Sequence, residues 1–164
     1  GLMQSAPLAS LVQVGGTVRQ SDGAVVGEDA VEFISGYRPD YAVIGASSID
    51  DDGTILDFDA REVAVARAIL KNARTRILVV DQSKFEINAP VRIADIGELD
   101  FIVMDGAPSD AFARAAEAAG TQIIIAGQNL WATQIPISPM TCLLWAAALM
   151  AAASPVTRRG AAYL

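Results

Sequence analysis

Residues 41–85 read as strand, polar turn, capped helix, strand and polar turn, and this order constrains the fold more than any other feature. The first strand is Tyr41-Ala42-Val43-Ile44. It runs into Gly45-Ala46-Ser47-Ser48-Ile49-Asp50 and an acidic turn that closes at Gly53. The helix spans Arg61 to Ala73. Asp59 stands at its N-cap and Glu62 at the spacing of a capping box. The second strand, Ile77 to Val80, ends in Asp81-Gln82-Ser83-Lys84-Phe85. Phe101 to Met104 and Gln122 to Ile125 are two more short apolar runs. Between them Pro108-Ser109 opens a helix over Asp110 to Ala119, with Gly120 just past its end. The apolar runs are continuous, as in parallel strands covered on both faces. Alternating with helices, they give an expected α/β fold: a mostly parallel sheet flanked by helices. Ligands of such sheets sit at the carboxyl ends of the strands. The turns after Ile44 and Val80 should share that edge.

The remaining segments read less sharply. Leu11 to Val14 is an apolar strand stopped by Gly15-Gly16, a turn or a close backbone approach. Glu28 to Gly36 has helical spacing, with Val31 and Ile34 on one face and Gly36 as cap. Glu86 to Asp95, which holds Pro90, reads as loop. Ile96 to Asp100 reads as a single turn.

Charge and composition remove several function classes. The net charge is −7 and there is no histidine. Direct nucleic-acid binding needs clustered Lys and Arg, so this segment is not expected to provide it. Histidine catalysis and His-ligated metals are excluded. The single Cys142 allows no internal disulfide and fits a reducing compartment. The N-terminus lacks a charged region followed by an apolar one. The longest apolar run, Cys142 to Ala153, is too short to span a bilayer. No cofactor motif is present.

The ordered set Gly45-Ala46-Ser47-Ser48-Ile49-Asp50, Asp57-Phe58-Asp59 and Asp81-Gln82-Ser83-Lys84-Phe85 resembles the sensor domain of the DeoR family of bacterial repressors. Gly15-Gly16, Ile93-Ala94 and Leu99 to Asp105 fit the same pattern, and the resemblance covers about Val12 to Ala126. It implies a fold similar to ribose-5-phosphate isomerase and glucosamine-6-phosphate deaminase. It also implies a cytoplasmic, homo-oligomeric transcription factor whose pocket takes a phosphorylated sugar or polyol. DNA would be bound only through a helix-turn-helix domain that this sequence lacks. The family's Gly-Thr-Thr phosphate loop is expected upstream of residue 1, so these 164 residues alone should bind effector weakly.

Five residues are candidates for ligand contact. Lys84 is a point cation at a strand end, suited to a phosphate or hydroxyl; otherwise it is a surface lysine paired with Asp81 or Asp57. Ser47, with Ser48 beside it, stands where the related isomerases carry acidic residues. Hydroxyls can hydrogen-bond a sugar but cannot serve as carboxylate bases, which favours a binder over an enzyme. Asp57 and Glu62 flank the helix start and suit hydroxyl recognition, or else serve capping and the helix dipole. Gly45 allows close backbone approach. The acidic run Asp50-Asp51-Asp52 reads as a solvated turn, without the spacing of a calcium loop. The alternative to a sensor is a sugar-phosphate isomerase or deaminase fragment of the same fold; a third possibility is a purely structural oligomerisation module.

The chain changes character near Gln128, giving expected units of 1–127 (sensor) and 128–164 (apolar tail). Beyond that point only Arg158 and Arg159 are charged, and Thr141 to Ala153 reads as one apolar helix. Such a helix is expected to cover an otherwise uncovered sheet face.

Overall fold

The computed structural model of the chain describes residues 12–21, residues 23–126 and the backbone of 162–163. Four parallel strands form its centre: β3 (Tyr41–Ile44), β6 (Thr75–Val80), β8 (Phe101–Met104) and β9 (Gln122–Ile125). They lie in the order β3-β6-β8-β9, and β10 (Ala162–Tyr163) pairs antiparallel on the outer side of β3. Ile44 stands opposite Leu78, and Val80 opposite Met104. The register therefore brings the carboxyl ends of β3, β6 and β8 to one edge. The expected α/β class and mostly parallel sheet are both present.

Helices α1 (Glu28–Ser35), α2 (Ala60–Asn72) and α3 (Asp110–Ala119) supply the apolar cover of one face. α2 begins where its cap dictates: the Asp59 side chain accepts from Arg61 N. Its buried stripe of Val63, Ala66, Ile69 and Leu70 packs in one cluster with Ala30 and Ile34 of α1 and Ile44, Leu78 and Ile102 of the sheet. Ser109 caps α3 through the Phe112 N–H, and Gly120 ends it in the left-handed conformation. Phe112 and Ala116 are its buried residues, whereas Ala119 at its end is exposed. Gly36 ends α1 as expected, with φ −77° in the right-handed region.

Two features depart from expectation. A second sheet joins β4 (Ser48–Ile49), β5 (Thr54–Asp57) and β7 (Val91–Asp95), all antiparallel, where turn and loop were expected. The acidic run is the hairpin turn between β4 and β5, with Asp52 Oδ1 accepting from Thr54 N at 2.9 Å. The N-terminal strand is also misplaced. Val12 to Val14 form no strand among the described residues, and Val12 is 62% exposed. Pairing instead joins β1 (Thr17–Val18) and β2 (Val25–Val26) in a small hairpin. Gly16 does show the expected close approach: a Cβ there would lie 3.2 Å from the Val26 carbonyl oxygen. The expected helix over 141–153 lies outside the described residues. Among the described residues no helix is long and apolar enough to cross a membrane.

Candidate functional site

The candidate residues gather where β3 and β6 end. Gly45 directly follows β3 and is half-buried. Beyond it the chain turns into β4, whose pairing with β5 sets Ser48 opposite Leu56. That pairing brings Ser47 against Asp57: Ser47 Oγ donates to Asp57 Oδ1 at 3.0 Å, and Phe58 N donates to the same oxygen at 2.7 Å. Both residues are buried. Ser48, fully buried, donates through Oγ to the Ile87 carbonyl. This bond ties β4 to the chain just past Lys84.

Lys84 lies on a 3-10 turn over Gln82–Glu86, capped by Asp81, which accepts from the Ser83 N–H and hydroxyl. The residue is 1% exposed and is the largest fully buried side chain among the described residues. This corrects the surface-lysine alternative. Among the described residues no carboxylate pairs with it: Asp81 is engaged by Ser83, and Asp57 by Ser47 and Phe58. A buried cation without a counter-charge is costly unless something anionic completes it. Phe85 packs edge-on against Phe112, centroids 5.0 Å apart, which anchors this turn to α3.

Glu62 is placed differently from the others. Its spacing matched a capping box, but its carboxylate takes Arg19 Nη2 at 2.6 Å. Arg19 Nη1 also holds Asp59 at 2.9 Å, so the β1–β2 hairpin is clamped onto the start of α2. The structure thus joins Ser47 to Asp57 and sets Ser48 beside the Lys84 turn, while Glu62 is engaged by Arg19. Arg19 itself is a residue the sequence reading missed. No local signal marks it, because its partners lie 40 and 43 positions away.

Among the described residues, Asp52, Asp59 and Asp100 sit below their ordinary range. The Arg61 guanidinium, then the Arg61 backbone N–H and Arg19, hold Asp59 far down. Asp52 is lowered by the Thr54 side chain and N–H. At Asp100, burial pushes upward but the Arg76 guanidinium and backbone N–H prevail. A carboxyl lowered on folding adds stability that is fully present above its unfolded value, about pH 4, and is lost as pH falls through the folded value. Asp59→Asn keeps a capping oxygen and removes the charge. Urea unfolding of both proteins at pH 6 and near pH 2.5 should therefore show a stability gap that narrows in acid. A gap of constant size would mean the Asp59 charge contributes nothing.

Residues 2–106 match the family described as DeoR C terminal sensor domain. Over 98 residues the chain is 43% identical to the glycerol-3-phosphate regulon repressor of Escherichia coli (strain K12), an alignment covering 60% of this chain and 39% of that protein. The glycerol-3-phosphate regulon repressor of Haemophilus influenzae is 41% identical over 98 residues, 60% of this chain and 38% of its own. The HTH-type transcriptional repressor CsqR of Escherichia coli (strain K12) is 28% identical over 119 residues, 73% of this chain and 46% of its own. The chain thus spans about two fifths of the length of the first of these relatives.

Proposed function

The chain belongs to the DeoR C-terminal sensor domain family, and on that premise we propose that it is the effector-sensing part of a cytoplasmic, homo-oligomeric transcriptional repressor. The effector is a phosphorylated sugar or polyol bound at the β3 and β6 edge. Lys84 meets the phosphate; Ser47 and Asp57 meet hydroxyls; Gly45 lets the ligand approach the backbone. Glu62 contributes at the helix start together with its Arg19 partner. DNA is contacted by a helix-turn-helix domain outside this sequence. The observation that carries the reading is the buried Lys84, with which no carboxylate among the described residues pairs, on the turn beside the Ser47–Asp57 pair. The name of the glycerol-3-phosphate regulon repressors it resembles makes glycerol-3-phosphate the first effector to try.

The test is calorimetric titration of a parent protein that carries the DNA-binding domain, wild type against Lys84→Met. Methionine keeps the buried stem and removes the charge. Loss of a charged contact should weaken binding by about 1.5–3 kcal/mol. Folding stability should hold or rise, because a buried charge that no carboxylate among the described residues pairs with has been removed. Unchanged affinity would show that Lys84 does not meet the ligand.

Catalysis is not expected. Ser47 and Ser48 supply hydroxyls where sugar isomerisation needs a carboxylate base. Isomerase and deaminase assays with ribose-5-phosphate and glucosamine-6-phosphate should read background. Clear turnover would replace the sensor reading with an enzymatic one.

A further inference from the structure

We propose that a cationic groove between α2 and β7 binds a small oxyanion, a phosphomonoester or free phosphate, at the opposite end of the sheet from Lys84. The groove has a volume of about 400 Å³, and Arg67, Lys71, Arg76, Arg92 and Glu98 line it over a floor that includes Leu70. It does not lie at the candidate effector site. Arg76 stands near the amino end of β6, whereas Lys84 follows the carboxyl end. Four cations and one carboxylate meet here, in a chain that carries 12 basic and 19 acidic residues in all. So the charge of the groove runs against the composition.

The partners of these cations leave charge available. Arg76 pairs with Asp100 at 3.1 Å, and Arg92 with Asp95 at 3.1 Å, but neither aspartate lines the groove. Arg67 donates through Nε to the Ile93 carbonyl at 3.1 Å, which fixes its guanidinium against β7. Among the described residues no carboxylate pairs with Arg67 or Lys71. These two stand one turn apart on α2, so they share a face. A guanidinium held by a backbone carbonyl, with an ammonium beside it, offers several donors to a tetrahedral oxyanion. The volume falls within the range of small-ligand sites, roughly 300–1,000 Å³. The net charge of −7 opposes a long polyanion such as nucleic acid.

Inorganic phosphate and phenyl phosphate are titrated into the full chain at low ionic strength, followed by calorimetry and by amide shifts. Saturable binding at about millimolar affinity or better is expected, with shifts at Lys71 and Arg92. Lys71→Gln, which breaks no hydrogen bond among the described residues, should weaken binding several-fold. Arg67→Gln with Lys71→Gln should weaken it about tenfold or more. The shifts at Lys71 and Arg92 should persist in Lys84→Met, which separates this groove from the effector site. Tighter phenyl phosphate would assign the groove to an ester with an apolar group, and equal affinities to free phosphate. The proposal is overturned by absence of saturable binding, by undiminished binding in the double variant, or by loss of the Lys71 and Arg92 shifts in Lys84→Met.

Discussion

Replacing Phe112 with alanine is expected to destabilise the domain by about 3–5 kcal/mol, the range for emptying a buried aromatic site. Phe112 is fully buried in α3 and meets Phe85 edge to face, with an interplanar angle of 85°. Such ring pairs add about 0.5–1.5 kcal/mol beyond the area they bury. A typical domain has only about 5–15 kcal/mol in hand, so much of the margin would go. The effect should also reach the site. Phe85 belongs to the 3-10 turn that carries Lys84, and its ring would lose its support. Urea unfolding should show a lower midpoint, and hydrogen exchange should rise over residues 82–86. Phe112→Leu should recover part of both. An unfolding free energy within about 1 kcal/mol of wild type would mean that the ring pair does not anchor the turn.

A comparable loss is expected from Gly53→Ala, for a different reason. Gly53 has φ +93° in the turn between β4 and β5, a conformation that side chains rarely adopt. An added Cβ would stand 2.6 Å from Ile96 Cγ2 and 2.9 Å from Ile96 Cβ. Ile96 cannot move away freely, because its N–H donates to the Gly53 carbonyl at 2.8 Å. The left-handed conformation costs about 1–2 kcal/mol, and overpacking adds about 1–3 kcal/mol. The hairpin sets β5 in register, and β5 ends at Asp57. Weaker effector binding should therefore accompany the lower melting temperature. A variant of wild-type stability would show that the turn relaxes and does not fix the site.

The parallel strands were legible in the sequence because each is a continuous apolar run. Tyr41 to Ile44 and Phe101 to Met104 were placed to the residue. Helices announced by caps were equally plain, as Asp59 and Ser109 show. The small antiparallel sheet was not. β7 contains Arg92 and follows Pro90, and β5 follows three aspartates, so neither segment has a strong local preference. Their pairing is non-local: Ile55 meets Ala94 across the chain. The site showed the same division. Motif order singled out Gly45, Ser47, Asp57 and Lys84 as candidates, and the fold sets Gly45 just past β3 and Lys84 just past β6. The burial of Lys84 was not legible, because lysine is almost never fully buried and only the tertiary packing of its turn reveals it. Glu62 had the spacing of a capping box, yet a distant arginine claimed it.

We propose that ligand at the Lys84 edge controls DNA binding elsewhere in the protein. The direct measurement is DNA affinity of the parent protein with and without glycerol-3-phosphate and other phosphorylated sugars and polyols, in wild type and Lys84→Met. One such ligand should change wild-type DNA affinity about 5–150-fold, the usual span of coupling between sites. The same concentration should leave Lys84→Met on its DNA unaffected. An identical response in both proteins, or none to any phosphorylated sugar or polyol, would contradict the account.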